Sequence, residues 1–296
     1  MRPAFTLPSF AKINLYLRIL GKRKDGFHEL FTVFQTVSLH DTFHFSEGDD
    51  LVLSCSDPRI AVREDNLIMR AARALQGRYG LTRGATIHLE KRIPSPGGLG
   101  GGSSNAAVTL IALCRLWQLP PADAEIQSIA KELGSDVTFF LYGGTAAGLG
   151  RGEKIERMPD VTADNVLIVT PDVAVPTGEA FASVGADRLT NDDPNRILGV
   201  CRLEAKSLDL HHSVLINDFE ASVFSSYPET MRVKETLLKL GSVNAALCGS
   251  GASVFAIFDK TETRQAAQKA LERESTWRKF AVATVSRDQY REMLHL

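Results

Sequence analysis

Cysteine is scarce in this sequence of 296 residues, and the few cysteines are far apart. They are Cys55, Cys114, Cys201 and Cys248, and no two of them form a CxxC pair. This spacing favours neither a zinc site nor a disulfide framework. We therefore expect a protein of a reducing compartment, and a cytoplasmic location fits best.

A long apolar run and an excess of charge of one sign are also absent. The N-terminal apolar stretch is interrupted by Lys12, Asn14 and Arg18, which makes it too polar for a secretion signal or a membrane-spanning helix. The formal net charge of -1 at pH 7 argues against a surface that neutralises a series of nucleic-acid phosphates. We expect neither nucleic acid nor membrane as a partner, so any anion site has to be local.

Two widespread nucleotide-binding motifs are missing as well. In a Walker A motif lysine follows the last glycine, whereas here Gly97 and Gly102 have the right spacing and Ser103 follows them. The chain contains no GxGxxG pattern, and no carboxylate pair or HExxH spacing marks a dedicated metal site. These absences disfavour both common nucleotide folds. We predict no protein metal ligand, and we expect His211 and His212 to be an exposed pair.

What the sequence does have is a glycine-rich segment between a predicted strand and an apolar helix. Glycines let main-chain N–H groups approach an anion, and the start of the helix adds its positive end. A flexible linker is the alternative, but a linker does not normally stand before an apolar helix with Ser103 or Ser104 as N-cap. We predict a phosphate-binding glycine loop formed by Pro94, Gly97, Gly98, Leu99, Gly100, Gly101, Gly102, Ser103, Ser104 and Asn105.

Residue patterns in the first half predict an antiparallel sheet and helices. Alternation from Phe10 to Ile19 predicts a strand with Lys12 and Asn14 on one face. The apolar residues of its other face are Ala11, Ile13, Leu15, Leu17 and Ile19. The other predicted elements are strands 31–39, 42–45 and 85–93, a helix capped by Asp65 and stopped by Gly80, a helix from the glycine loop to about Trp117, and a helix from Ala122 to Leu133.

The second half has a different order of elements. A strand at 166–170 is followed by two mainly helical stretches. The chain then continues as strands 243–248 and 253–258, a helix at 262–274 and a strand at 280–285. This order predicts a split βαβ sandwich, and a change to polar sequence places a domain boundary near residue 155.

Three segments resemble the motifs of the GHMP kinase superfamily. They are the strand Ala11-Lys12-Ile13-Asn14-Leu15, the glycine loop, and the stretch from Leu247 to Phe255 with its glycine turn Gly249-Ser250-Gly251. The resemblance implies an α+β fold of two domains with the active site in the cleft between them. Residues 1–155 would form an ATP-binding domain of the ribosomal-S5-domain-2-like type, and residues 156–296 a ferredoxin-like substrate domain.

Six segments spread over nearly the whole chain resemble one branch of this superfamily. That branch phosphorylates the 2-hydroxyl of a cytidine-diphosphate-linked sugar alcohol in the non-mevalonate route to isoprenoid precursors. The segments are AKINLYL (11–17), DGFH (25–28), GLGGGSSNAA (98–107), GSDVTFFLYGGTA (134–146), PTGEAF (176–181) and NDFE (217–220). Phe27 and Thr138 stand where the branch usually has Tyr and Pro, and neither change removes a catalytic group.

The resemblance assigns the chemistry to two residues. Asp136 would accept the proton of the acceptor hydroxyl, and Lys12 would hold the carboxylate and that hydroxyl together, with Asn14 on the same face. From the residues alone, Asp136 is more typical of a turn aspartate after Gly134. An exposed sheet face would equally explain Lys12, because a buried ammonium is costly unless it is paired.

The resemblance also implies an acceptor site. Phe27 and Phe181 would bracket the cytosine ring, with His28 at the edge of the base and Thr177 nearby. The glycine turn, which consists of Gly249, Ser250 and Gly251, would lie against the phosphates and substrate. The alternatives are that both phenylalanines belong to the core and that the turn is only a tight hairpin.

ATP and Mg²⁺ are the expected co-substrate and cation, and either Ser103 or Ser104 could offer a hydroxyl to the metal. No obligate protein partner is implied. One alternative is another GHMP kinase that acts on mevalonate, homoserine or a sugar, which the DGFH and PTGEAF segments disfavour. The other is a non-catalytic binding relative, which the presence of both Lys12 and Asp136 disfavours.

Overall fold

The computed structural model describes residues 4–120, 123–184, 194–207, 209–210 and 212–296. Ala122 and His211, which both figure in the sequence predictions, lie outside these ranges. The strands in chain order are β1 (Ala4–Lys22), β2 (His28–Gly48), β3 (Leu51–Cys55), β4 (Gly84–Glu90), β5 (Thr145–Gly150), β6 (Lys154–Arg157), β7 (Val166–Thr170), β8 (Ile216–Asn217), β9 (Asn244–Leu247), β10 (Val254–Ile257) and β11 (Arg278–Val282).

The α-helices lie mostly between these strands. They are α1 (Leu67–Tyr79), α2 (Gly101–Leu116), α3 (Asp123–Leu133), α4 (Thr177–Ser183), α5 (Pro194–Lys206), α6 (Glu220–Ser226), α7 (Pro228–Lys239), α8 (Thr261–Ala270) and α9 (Arg287–Leu294). Two short 3₁₀ turns, Ser135–Val137 and Phe139–Leu141, follow α3 and together form the segment that we name the Asp136 turn, 135–141.

The strands form two sheets. In the first the order is β3-β4-β2-β1-β8, and β5 pairs with both β2 and β6. In the second the order is β11-β7-β10-β9, with every neighbouring pair antiparallel. This second order is that of a split βαβ sheet, so the α+β prediction is confirmed for both halves of the chain.

The two sheets and their helices stack in layers around three hydrophobic cores. Helices α1, α2 and α3 cover the first sheet, and the two sheets pack on each other through side chains such as Ile13 and Ile168. Helices α7 and α8 cover the outer face of the second sheet. Full burial of one such aliphatic side chain contributes about 1.5–3 kcal/mol, which makes this layering the main source of stability.

A bulge in β1 changes which residues share a face. The register against β2 shifts between Asn14 and Tyr16, so Leu15 is an extra residue in the strand. The prediction that Leu17 and Ile19 share the face of Ala11 and its neighbours is therefore wrong. Leu17 and Ile19 belong to a different core from that of Ala11, because one inserted residue reverses the alternation.

Two predicted element boundaries also need correction. β2 is one continuous strand, although the sequence predicted two strands divided at His40-Asp41. The N-cap of α1 is Asn66 rather than Asp65, since the Asn66 side chain accepts the N–H of Ile68. Gly80 ends this helix with a left-handed φ of 61°, as predicted.

Helix α9 was not predicted, although its start has a local signal. Ser286 and Gln289 form a reciprocal capping box at its N-terminus. The helix packs beside the first sheet, and Val37 of β2 forms a bridge with Thr284 just before it. The C-terminal segment thus returns to the first half of the chain. The domain boundary near residue 155 stays a prediction, and β6 spans that position.

Candidate active site

A cleft of about 840 Å³ lies between the glycine loop, β1, the Asp136 turn and the glycine turn. Most of the residues predicted from the sequence line it. They are Lys12, Asn14, Phe27, His28, Pro94, Gly97, Gly98, Leu99, Gly100, Gly101, Gly102, Ser103, Asp136, Thr177, Phe181, Gly249 and Ser250. Three predicted residues, Ser104, Asn105 and Gly251, are not among the lining residues.

Lys12 lies in the middle of β1 with only 4% of its side chain exposed. Its Nζ donates to Asn14 Oδ1 at 2.7 Å and lies 3.4 Å from Asp136 Oδ2. Such partners are what a buried ammonium requires, because an isolated charge would be strongly disfavoured there. The alternative that Lys12 faces solvent on an open sheet face is therefore wrong.

Asn14 is held in one orientation by its neighbours. Its Nδ2 donates to Thr32 Oγ1 at 2.7 Å, and the Thr32 hydroxyl donates to the carbonyl of Tyr16 at 2.8 Å. With the amide nitrogen turned to Thr32, the oxygen has to face Lys12. The chain of hydrogen bonds thus fixes the acceptor that holds the ammonium of Lys12.

The Asp136 turn presents its carboxylate to the cleft, with 31% of the Asp136 side chain exposed. Behind it, the hydroxyl of Tyr290 on α9 donates to the main-chain carbonyl of Phe140. The ring of Phe140 also contacts the glycine loop, since a Cβ on Gly100 would lie 3.0 Å from it. Helix α9 and the glycine loop therefore support the turn that carries the carboxylate.

The glycine loop packs against both β1 and the glycine turn. The N–H of Lys12 donates to Leu99 O at 3.0 Å, and Gly97 O accepts from the N–H of Ser253 at 3.2 Å. A Cβ on Gly98 would lie 1.9 Å from the carbonyl oxygen of Cys248, and the φ of Gly98 is 71°. Position 98 therefore admits only glycine.

Helix α2 begins earlier than the sequence predicted. Its N-cap is Gly100, in a left-handed conformation with φ 70°, so the prediction of Ser103 or Ser104 as N-cap is wrong. Gly100 fits there because a side chain would meet Lys12 and Phe140. The first N–H groups of α2 consequently belong to the loop itself and are directed at the cleft.

Ser104 and Asn105 fasten α2 to β1 and do not face the cleft. The buried hydroxyl of Ser9 donates to Asn105 Oδ1 at 2.7 Å, and its oxygen lies 2.8 Å from Ser104 Oγ, within hydrogen-bond distance. Ser103 is the only one of the two candidate serines that lines the cleft. A hydroxyl for a metal ion would therefore come from Ser103.

The sequence predicted no role for the individual residues of the NDFE segment (217–220), and the structure shows what two of its carboxylates contact. Asp218 accepts the N–H of Ile19 at 2.8 Å, and Glu220 accepts the N–H of Leu247 at 3.0 Å. These bonds join the glycine turn region to β1. The signal available in the sequence was three polar residues in a segment of four next to a predicted sheet.

The far end of the cleft carries the aromatic residues. The rings of His28 and Phe181 are stacked, with centroids 5.1 Å apart and planes 18° apart. Phe27 is 53% exposed, and the guanidinium of Arg151 lies 4.6 Å from its ring centroid. Phe27 is thus not a core residue, and Arg151 is a lining residue that the sequence analysis missed.

Arg151 stands in the turn between β5 and β6, flanked by Gly150 and Gly152. A Cβ on Gly152 would lie 3.8 Å from Asp136 Oδ1, so this turn passes beside the carboxylate. Thr177 Oγ1 and Ser250 Oγ approach to 3.1 Å across the opposite wall. The only sequence signal for Arg151 was its position in the stretch 139–152, which contains five glycines.

Within the described ranges, no three His, Cys, Asp or Glu side chains form a group that could hold a metal ion. A helix long and apolar enough to cross a membrane is likewise not found in that part of the chain.

A paired lysine and aspartate beside a glycine-rich helix start provide groups that phosphoryl transfer requires, and the class of protein that this site fits is an ATP-dependent small-molecule kinase. Residues 66–144 match the model of the GHMP kinases N terminal domain, and residues 203–275 match that of the GHMP kinases C terminal domain. The chain belongs to the GHMP kinase family, as the sequence motifs predicted.

Individual members of this family are similar to the chain over most of its length. The chain is 41% identical over 271 residues to the 4-diphosphocytidyl-2-C-methyl-D-erythritol kinase of Chlorobium phaeobacteroides, over 90% of this chain and 91% of that protein. A crystal structure of 4-(cytidine 5'-diphospho)-2C-methyl-D-erythritol kinase matches with a TM-score of 0.77 at 30% identity, covering 95% of this chain and 99% of the other. Homoserine kinase from Cytophaga hutchinsonii matches with a TM-score of 0.71 at 19% identity over 97% and 96% of the chains, a likeness of fold alone.

Proposed function

We propose that this chain transfers the γ-phosphoryl group of ATP to the 2-hydroxyl of 4-diphosphocytidyl-2-C-methyl-D-erythritol, giving the 2-phosphate and ADP. The observation that carries the proposal is the buried ammonium of Lys12, 3.4 Å from the carboxylate of Asp136 in the cleft beside the glycine loop. The names of the relatives support the choice of acceptor.

Asp136 is the proposed proton acceptor. Its carboxylate is open to the cleft, whereas Lys12 is buried and held from the other side by Asn14. The acceptor hydroxyl would lie against both the carboxylate and the ammonium, and its proton would pass to the carboxylate as the oxygen bonds to phosphorus and the bond from phosphorus to ADP breaks. General-base assistance of this kind contributes about 10²- to 10⁴-fold in rate.

The phosphates of ATP would lie along the glycine loop and the start of α2. Main-chain N–H groups there provide donors without side-chain bulk. ATP would enter as its magnesium complex, in which the cation neutralises charge on the phosphate oxygens. Ser103 fits this arrangement because it combines a hydroxyl with a place in the lining of the cleft. Positioning the two substrates is the larger contribution, worth roughly 7 to 11 kcal/mol in favourable cases.

The cytosine of the acceptor would stack on the exposed ring of Phe27. Stacking on an aromatic ring contributes about 1–3 kcal/mol and does not distinguish the bases. For Phe181 to cover the other face of the base, His28 has to leave its present stack on Phe181 and move to the edge of the base. A ring nitrogen of His28 can then hydrogen bond there and select cytosine.

The diphosphate of the acceptor would pass Arg151. The guanidinium of Arg151 lies against the ring of Phe27, and the turn that carries Arg151 passes beside the carboxylate of Asp136. The acceptor has to span the same distance, from its base to its reacting hydroxyl. A guanidinium between those two points matches the charge and the shape of a diphosphate.

The remaining parts of the proposal follow from this activity. Residues 1–155 would be the ATP-binding domain and residues 156–296 the substrate domain. The protein would act in the cytoplasm, in the non-mevalonate route to isoprenoid precursors, with small molecules as substrates and without an obligate protein partner.

The deciding experiment measures ADP release with magnesium, ATP and each of three acceptors. These are 4-diphosphocytidyl-2-C-methyl-D-erythritol, mevalonate and homoserine. We expect turnover with the cytidine compound only. Turnover with another acceptor would retain the kinase and refute the cytosine site, and no turnover with any acceptor would favour a non-catalytic relative.

A further inference from the structure

A second buried ion pair lies behind the glycine loop and has no part in the proposed chemistry. Asp41 of β2 is fully buried, and Lys91, the residue after β4, has 6% of its side chain exposed. Lys91 Nζ donates to Asp41 Oδ2 at 2.7 Å. Burying such a pair is often no better for stability than burying apolar groups of the same volume, so its presence calls for a specific reason.

The pair is connected to the entry of the glycine loop. Asp41 Oδ1 accepts the N–H of Arg92 at 2.7 Å and that of Ile93 at 2.8 Å. Lys91 Nζ also donates to Ile93 O at 2.7 Å. The two side chains therefore hold both polar groups of Ile93, the residue immediately before Pro94. The direction in which the chain enters the loop is set by these bonds.

The same ammonium reaches the far end of the loop. A Cβ on Gly101 would lie 3.2 Å from Lys91 Nζ and 3.0 Å from Ile93 Cγ2. Gly101 is the first residue of α2, so Lys91 contacts the chain just before the glycine loop and again where the loop enters the helix. A cation at a helix N-terminus is repelled by the helix dipole, which means that Lys91 depends on Asp41 to remain there.

The net charge of the pair distinguishes two possible roles, which are attraction of a phosphate and support of the glycine loop. Asp41 and Lys91 together are neutral, so they add little net attraction for a phosphate. Burial holds the pKa of Lys91 below its ordinary value, while Asp41 raises it again. What the pair provides is a rigid connection between the two ends of the loop.

We propose that Asp41 and Lys91 are positioning residues for the nucleotide. By holding Ile93 and the start of α2 in a fixed relation, they keep the N–H groups of the intervening loop directed at the phosphates. Neither side chain is among the residues that line the cleft, so each acts through the loop. The inference rests on the proposed function, because it assigns the loop to ATP.

The test compares Asp41→Asn with the unchanged protein. The amide retains one oxygen as an acceptor but cannot form the ion pair. We expect the Kd for a non-hydrolysable ATP analogue, measured by calorimetry, and the KM for ATP to rise at least about tenfold. The KM for the acceptor should stay within about twofold, since the acceptor end of the cleft is not contacted by the pair.

Leu75→Ala is the matched control for a loss of stability alone. Leu75 is fully buried in α1 and does not line the cleft. Its truncation lowers the melting temperature, and we expect the Kd of the folded protein for the analogue to be unchanged. If Asp41→Asn behaves in the same way, the pair is only structural and the inference is wrong.

A milder variant, Lys91→Arg, keeps the charge and changes the geometry beside Gly101. If Asp41→Asn does not fold, the Kd of Lys91→Arg for the ATP analogue and its KM for the acceptor decide whether the pair positions the nucleotide. Retained nucleotide affinity in Lys91→Arg would then overturn the inference, and weakened affinity with a normal acceptor KM would support it. Failure of the unchanged protein to bind the analogue or to turn over would instead refute the proposed function.

Discussion

The side-chain amide of Asn217 donates a hydrogen bond to the main-chain carbonyl of Gly249 at 2.8 Å. The same nitrogen donates to Leu247 O at 2.8 Å, and Oδ1 accepts the N–H of Phe219 at 3.0 Å. The side chain is buried, and its donors and its acceptor are all used. One asparagine of β8, a strand of the first sheet, thus holds the end of β9 and the start of the glycine turn.

We predict that Asn217→Asp lowers both stability and turnover. The substitution keeps the size but replaces a donor with an acceptor that faces two carbonyl oxygens, which costs about 1–3 kcal/mol. Urea denaturation and kcat measure the two effects. Asn165→Asp is the matched control, because Asn165 Oδ1 accepts from the hydroxyl of Thr261 and aspartate keeps that acceptor. Equal stability of the two variants would contradict the role assigned to Asn217.

Asp136→Asn should lower kcat by about 10²- to 10⁴-fold, as expected for loss of a general base. The amide cannot accept the proton, but the glycine loop is unchanged, so the Kd for ATP should stay nearly the same. Steady-state kinetics and calorimetry test the two statements. Asp172→Asn, at an exposed position outside the cleft, should have full activity. Normal turnover of Asp136→Asn would show that another group accepts the proton.

Gly98→Ala should abolish nucleotide binding. Its new Cβ would overlap the carbonyl of Cys248, and the φ of 71° disfavours any side chain. Gly77→Ala within α1 is the control, because nothing lies within 4 Å of the added Cβ. We expect that control to gain about 0.5–1 kcal/mol in stability from the higher helix propensity of alanine. Binding of ATP analogues by Gly98→Ala would refute the packing described for the loop.

Tyr290→Phe removes only the hydroxyl that donates to Phe140 O. We expect a loss of about 1 kcal/mol in stability and a lower kcat, because the Asp136 turn loses a support. The KM for ATP should not change. Tyr79→Phe serves as control, since the buried Tyr79 hydroxyl has no hydrogen-bond partner within the described ranges. An identical effect of both substitutions on kcat would exclude the proposed support.

Alkylation tests the state of the cysteines. Burial is the main cause of a raised pKa at Cys55, Cys114, Cys201 and Cys248, and it raises the pKa of Cys114 to about 11 and that of Cys248 to about 12. Because the thiolate is the reactive form, the native protein should react with iodoacetamide at pH 8 much more slowly than the unfolded protein. Intact mass measured over time gives both rates. Equal rates would mean that the thiols are exposed.

The family, the order of the second sheet and most of the cleft could be predicted from the sequence. The family and most of the cleft residues were predicted through the resemblance of several motifs, and the second sheet through its βαββαβ order, which permits few sheets. The helix stop at Gly80 was likewise predictable, since only glycine readily adopts the φ of 61° found there.

Other features depend on contacts between residues that are distant in the chain. The pairing of Lys12 with Asp136 joins positions 124 residues apart, and no local pattern shows whether a strand lysine is buried. The bulge at Leu15 and the N-cap at Gly100 arise from the fit of β1 to its neighbours. The glycines around Arg151 did not show that it lines the cleft, because a surface turn and a turn beside a carboxylate contain the same residues.

The sequence by itself determined which groups are available: a phosphate-binding loop, a lysine, an aspartate and a set of aromatic rings. Only the tertiary structure decided which of them meet. It brought Lys12 to Asp136, turned Ser104 and Asn105 away from the cleft, and placed Asp41 and Lys91 behind the loop. The physical reason is that a buried polar group is costly unless it is hydrogen-bonded or paired. The packing of separate strands and helices determines which partner each group meets.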